Sequence, residues 1–227
     1  MRALFLLLFL FPLLDTQAQE IEAELSYKYM LASNWDKAIQ SYNFSRPFLT
    51  EKQPLLMHGM NASVSYIFKS ANKFKQGINA SYSHFSSYAE NVNFVNQYNL
   101  HFLNVGYIFR YESTEKLKGL TTDFILSASS SALFRNVNDQ PFIYDEVRSK
   151  AFGIGGDLSV RTSYSFNIKN KFHLSPFVQV GYTPYLFSPN TEAVINQTRE
   201  LVAPNFTDIF ASRVGLKFYA NEIAQEH

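Results

Sequence analysis

"FGIGGDLSVRTSYSF", residues 152–166, reads as two interleaved faces. The even positions are Phe152, Ile154, Gly156, Leu158, Val160, Thr162, Tyr164 and Phe166. The odd positions are Gly153, Gly155, Asp157, Ser159, Arg161, Ser163 and Ser165. A period of two marks a β-strand with one apolar and one polar side. A soluble sheet would bury the apolar side. A membrane barrel turns that side to lipid and encloses the polar one.

The same alternation recurs on both sides of this stretch. Seven further segments carry it, near 20–31, 56–69, 76–87, 96–112, 119–134, 171–187 and 208–219. In the segment at 96–112 the apolar parity switches after Phe102, from Tyr98 and Leu100 to Leu103 and Val105, which predicts a β-bulge there. The connections alternate as well. Long polar ones fall at about 32–55, 88–95, 135–148 and 188–207. Short turns lie near "SANKFK", "STEKLKG" and "NIKNK". An eight-stranded antiparallel up-and-down barrel has this rhythm, with short periplasmic turns and longer outer loops. Both chain ends of the barrel are then expected in the periplasm.

The side chains decide which face is inside. The polar set holds Glu22, Glu24, Lys28, Arg110, Glu112, Asp123, Asp157, Arg161, Arg213 and Lys217. The apolar set is dominated by aromatic residues, of which the chain has Phe 22, Tyr 14 and Trp 1. Their rings crowd a narrow eight-stranded lumen but fit against lipid. Aromatics also gather at segment ends (Tyr107, Phe109, Tyr111, Tyr164 and Phe166), where an interfacial girdle belongs. A transmembrane barrel with a polar lumen is therefore expected, in preference to a secreted lipocalin-like barrel or sandwich. Glu22, Glu24, Lys28, Asp123, Asp157, Arg161, Arg213 and Lys217 form its expected lumen charge network. Asp157 and Arg161 lie four apart on one face, with Glu24, Lys28 and Arg213 brought into reach by closure. Buried charges persist only when paired, so the network reads first as a sealed core and second as an ion or proton path.

Composition narrows the remaining possibilities. Charged residues make up 17% of the chain, below the roughly 25% usual for soluble domains. A net charge of +1 without a basic run points to no nucleic-acid partner. The absence of cysteine excludes disulfides, thiolate metal sites and a Cys nucleophile. No phosphate loop or metal-ligand spacing appears, so neither cofactor nor metal is expected. Residues 1–18 read as a secretory signal, with Arg2 before an apolar run from Ala3 to Leu14 and small residues at Thr16 and Ala18. That run is shorter than the ~20 residues of a spanning helix. The barrel domain is then 19–227.

These strands, turns and lumen charges resemble the small eight-stranded outer-membrane barrels typified by the OmpA transmembrane domain and OmpX. The resemblance spans residues 20–219, and the aromatic-rich strands, lack of cysteine and "TQAQ" are most similar to Bacteroidota barrels. It implies residence among outer-membrane lipid and insertion by the BAM machinery, which reads an aromatic end of the last strand. Phe218 and Tyr219 match that signal, although eight residues follow where the family ends. Two stretches also resemble the His-x-Ser pair of lipid A deacylase barrels, in which His is the base and Ser the nucleophile. "SHFSS" offers His84 and Ser86, with Glu90 nearby as the orienting acid, both side chains expected on the lipid face. "FHLSP" offers His173 and Ser175, followed by Pro176 instead of the family's Asn. Such a pair arises easily by chance in a Ser-rich chain, and a non-enzymatic barrel is the expectation.

The first long loop is the more informative stretch for binding. It carries the only Trp, Trp35, with Tyr42, Phe44, Arg46 and Phe48. Trp, Tyr and Arg are favoured interface anchors. "WDKAIQSY" is expected to form a short amphipathic helix, which either packs on the rim and docks a partner in an outer-membrane complex or folds over and caps the barrel mouth.

Overall fold

The structure is a computed structural model that describes residues 18–47, 51–68, 73–91, 94–113, 118–139, 146–169, 172–187 and 208–221. The expected signal lies outside them, apart from its last residue. The alternating segments form strands β1 (Ala18–Leu31), β2 (His58–Phe68), β3 (Phe74–Asn91), β4 (Phe94–Glu112), β5 (Leu120–Asp139) and β6 (Glu146–Tyr164). They continue as β7 (Phe166–Lys169), β8 (Phe172–Thr183), β9 (Tyr185–Phe187) and β10 (Ile209–Asn221). Among the described residues one helix, α1 (Ser33–Phe44), follows β1.

From β1 to β6 each strand pairs antiparallel with the next. β6 pairs with β8, β8 with β10, and β10 returns to β1, so the sheet closes. β7 prolongs β6 past Ser165 and pairs with β8. β9 prolongs β8 past Pro184 and pairs with β6. The ten segments therefore make eight staves of one barrel. Proline cannot donate to a ladder. Here the Pro184 carbonyl instead accepts from the Gly156 amide at 2.9 Å. A Cβ on Gly155 would sit 2.3 Å from that carbonyl oxygen, so the close approach needs glycine.

Residues 152–166 show which side is in. Asp157 and Arg161 are 3% and 0% exposed, whereas Phe152 is 61% exposed on the outer wall. Leu25, Val64, Val105, Leu126, Leu158, Val180 and Val214 continue that wall around the ring. Aliphatic and aromatic side chains thus face out while acids and bases are enclosed, the arrangement of a transmembrane barrel.

Two expectations need correction. The parity switch in β4 is not a bulge. The β3–β4 register runs unbroken from Phe74↔Tyr111 to Asn91↔Phe94, and the β4–β5 register is equally regular. Tyr98, Leu100 and Phe102 simply point inward, as do Asn104, Ile108 and Arg110 below them. The connections expected at 88–95 and 135–148 are also mostly strand. β3 reaches Asn91 opposite Phe94, and β5 and β6 run to Asp139 and from Glu146. A strand that rises past a lipid belt meets water on its outer face, so its alternation fades while its hydrogen-bond ladder continues. The fourth connection, 188–207, lies outside the described residues.

Candidate functional site

The enclosed side chains fall into two layers, and the sequence positions each. In the half nearer the short turns, Arg110 of β4 is the centre. Its Nη1 and Nη2 donate to Glu22 Oε1 and Oε2, each at 2.7 Å, in a parallel fork. Its Nε donates to Asp123 Oδ1 at 2.7 Å, and Nη1 also reaches Glu20 Oε2 at 3.0 Å. Arg161 Nε donates to the other Asp123 oxygen at 2.9 Å, and its Nη1 pairs with Glu24. Lys217 Nζ lies 3.0 Å from Glu22, and Lys75 Nζ lies 2.8 Å from Glu112 and 3.5 Å from Glu20. Side chains from β1, β3, β4, β5, β6 and β10 thus meet across the axis. The guanidinium fork matches carboxylate geometry, which is why arginine rather than lysine holds the centre. Polar satisfaction of this kind lets charges survive burial, and it fixes which strand faces which.

Of the expected network, Glu22, Glu24, Asp123, Arg161 and Lys217 are brought together here. Asp157, Lys28 and Arg213 are not. Asp157 accepts from Thr183 Oγ1 at 2.9 Å and Ser159 Oγ at 3.4 Å, so it does not pair with Arg161 as the four-residue spacing suggested. Arg110, Glu20 and Lys75 complete the cluster. The parity placed Arg110 on the polar face, but its central role depends on cross-barrel distances that only closure sets.

In the half nearer the long connections the lumen carries a cluster of apolar side chains and holds α1. Trp35, Ala38, Ile39 and Tyr42 lie on one side of the helix, at the spacing of an apolar stripe. They pack on the inward residues Phe85, Tyr98, Leu100, Phe102 and Leu133. The Trp35 ring is centred 6.3 Å from Phe102 and 6.4 Å from Tyr185, and Tyr42 meets Tyr98 edge-on at 6.4 Å. The following segment ties the helix down. Asn43 Nδ2 donates to the Gln53 carbonyl at 2.9 Å, and the Gln53 amide donates to Asn43 Oδ1 at 2.8 Å. Gln53 Nε2 then donates to Ser87 of β3 at 2.7 Å, and Asn96 of β4 donates to Gln53 Oε1 at 2.8 Å.

The helix therefore caps the mouth. This corrects the list of docking anchors: Trp35 and Tyr42 are each 1% exposed, because the barrel itself supplies the apolar surface they bury against. Phe44, at the helix end, is 91% exposed, and the Arg46 guanidinium lies 4.0 Å from the Tyr42 ring centre. Phe48 lies outside the described residues.

On the outer wall, His84 and Ser86 both face outward, as their parity predicted. They are not brought together. His84 Nε2 lies 3.3 Å from Asn99 Oδ1, and its ring stacks on His101 at 4.8 Å. Ser86 Oγ accepts from Gln97 Nε2 at 3.3 Å. The Glu90 side chain lies outside the described residues. At the opposite end, His173 stacks on Tyr219 at 4.6 Å, and Ser175 bonds Ser165 at 2.9 Å. Among the described residues no three His, Asp or Glu side chains are grouped as for a metal ion.

No protein-family model and no curated protein matches the chain. Solved structures are similar to it, among them the following three. Neisserial surface protein A (NspA) is 12% identical, with 91% of this chain and 100% of that chain covered at a TM-score of 0.46. Ail, the attachment invasion locus protein of Yersinia pestis, solved with the heparin analogue sucrose octasulfate, is 8% identical over 90% and 99% at 0.46. The outer membrane protein OprG from Pseudomonas aeruginosa is 9% identical over 91% and 98% at 0.37. At these identities the likeness is one of fold alone, and the eight-stranded barrel stands on its own closed register.

Proposed function

We propose that the protein is a non-enzymatic outer-membrane barrel of a Gram-negative cell that docks a partner at the cell surface. The observation that carries this reading is the division of α1. One side of the helix is locked into the barrel mouth, while its end presents Phe44 to solvent beside Arg46. A rigid scaffold that holds an exposed aromatic and a guanidinium in fixed relation suits recognition better than a mobile loop does. With the helix end outside, β1 begins and β10 ends on the periplasmic side. Phe218 and Tyr219 then lie where the insertion machinery would read them.

The test is a photo-crosslinking amino acid at position 44 in native membranes. A discrete protein adduct is expected, weakened by Arg46→Ala and unaffected by Trp35→Phe. Adducts to lipid alone would refute docking, and an altered lipid A mass spectrum in cells lacking the protein would refute the non-enzymatic reading.

A further inference from the structure

Between the Arg110 cluster and the helix lie two buried cations that touch no carboxylate. Lys28 and Arg213 are direct partners in the β1–β10 register and are 2% and 7% exposed. Like charges placed opposite one another repel, and a buried charge requires a counter-charge. Arg110, Arg161, Lys75 and Lys217 each touch a carboxylate. Lys28 and Arg213 touch none. Lys28 Nζ donates to Ser83 Oγ at 3.4 Å and lies 4.8 Å from the Phe102 ring centre. Arg213 Nη1 donates to Asn61 Oδ1 at 3.2 Å, and Ser83 Oγ donates to that same oxygen at 2.9 Å.

Asn61 Oδ1 holds Arg213 directly, and Lys28 is linked to the same oxygen through Ser83. Asn61 Nδ2 is buried with no partner, and so is the hydroxyl of Ser26, the residue opposite Asn61 in the β1–β2 register. One acid, Asp157 of β6, lies within electrostatic reach of both cations, but its oxygens are engaged by Thr183 and Ser159. Two positive charges, an amide NH2 and a hydroxyl are therefore gathered against a single carboxylate that touches neither cation. Water could accept from these donors, but it would leave the charge repulsion in place. A monovalent anion answers both needs.

We infer that the lumen binds a small inorganic anion of halide size between Lys28, Arg213, Asn61 and Ser26. Halide size follows from the space: an eight-stranded lumen leaves room for little beyond its own side chains. Phe85 and Phe102 cover the site from the helix side, with Lys28 Nζ within 5.7 Å and 4.8 Å of their ring centres. The anion would bind the folded barrel and stabilise it by mass action.

Bromide is the probe. Crystals of the full chain grown in sodium bromide should show an anomalous peak in contact with Lys28 Nζ and Asn61 Nδ2. In detergent, the unfolding midpoint should rise and saturate with chloride or bromide but not with sodium gluconate at equal ionic strength. Lys28→Met should abolish that dependence. No bromide peak at the site, equal midpoints in halide and gluconate, or a halide dependence that survives Lys28→Met would each overturn the inference. If Lys28→Met does not fold, the bromide map and the anion series on the unaltered chain decide it.

Discussion

Arg110 shows how one side chain can organise a barrel interior. Its five donors face Glu20, Glu22 and Asp123 at 2.7 to 3.1 Å, so removing it takes the shared central partner from three buried carboxylates and leaves them with Lys75, Lys217 and Arg161 only. Breaking a buried ionic group by deleting one partner costs about 3–5 kcal/mol, far more than the net stability such a group confers. Arg110→Met should therefore lower the stability of the folded barrel by that amount, measured by urea unfolding in lipid vesicles. The quadruple replacement Arg110→Met, Glu22→Leu, Asp123→Leu, Lys217→Met should recover most of the loss, because Arg161 then keeps Glu24, Lys75 keeps Glu20 and no charge is left alone. Equal losses in the single and quadruple variants would mean that the cluster acts by shape and not by charge. Arg110 could be assigned to the enclosed face from alternation alone. Its partners could not, because Glu22 lies 88 positions away and the two meet only across the closed axis.

At the scale of the element, α1 and the upper part of β4 explain each other. Twelve residues make a helix too short to be stable alone in water, so α1 persists because its apolar side is buried. The surface that buries it includes Tyr98, Leu100 and Phe102, the same residues whose parity imitated a bulge. Two irregularities in the pattern, an apolar helix inside a loop and an apolar run on a polar face, are two halves of one contact. The stripe at Trp35, Ala38, Ile39 and Tyr42 was legible as a helix. Where it lay was not, because a rim site and a mouth site demand the same stripe. The only tryptophan now reports on this contact directly. Trp35 should emit at short wavelength and resist acrylamide quenching in the folded protein. Trp35→Ala, which removes a large buried ring at about 3–5 kcal/mol, should release the helix and expose residues 33–53 to protease. The strands, which do not depend on α1 for their ladder, should keep their heat-modifiable gel mobility. Strong quenching of Trp35 in the unaltered protein would place the helix outside the mouth.

For the whole molecule, closure converts a repeated two-residue pattern into a compartment with inverted solvent preferences. Each stave contributes the same rule, apolar out and polar in, and the ring leaves no sheet edge unpaired apart from the strand ends. The same rule can be tested from the outside. Leu126 of β5 is 54% exposed on the outer wall, between Phe124 and the Phe134–Phe152 aromatic pair above it. If that wall meets hydrocarbon, Leu126→Arg places a guanidinium near mid-depth and should cost about 2–4 kcal/mol in vesicles, whereas a charge near an interface costs about 0–1 kcal/mol. Leu186, 70% exposed at the end nearer the long connections, is the matched interfacial position, so Leu186→Arg should be nearly silent. A soluble barrel would treat the two alike, since both side chains already stand outside the core and an added charge there meets water. Unfolding both variants in the same bilayer separates these cases: a depth-dependent penalty requires lipid around the barrel, and equal midpoints would require water.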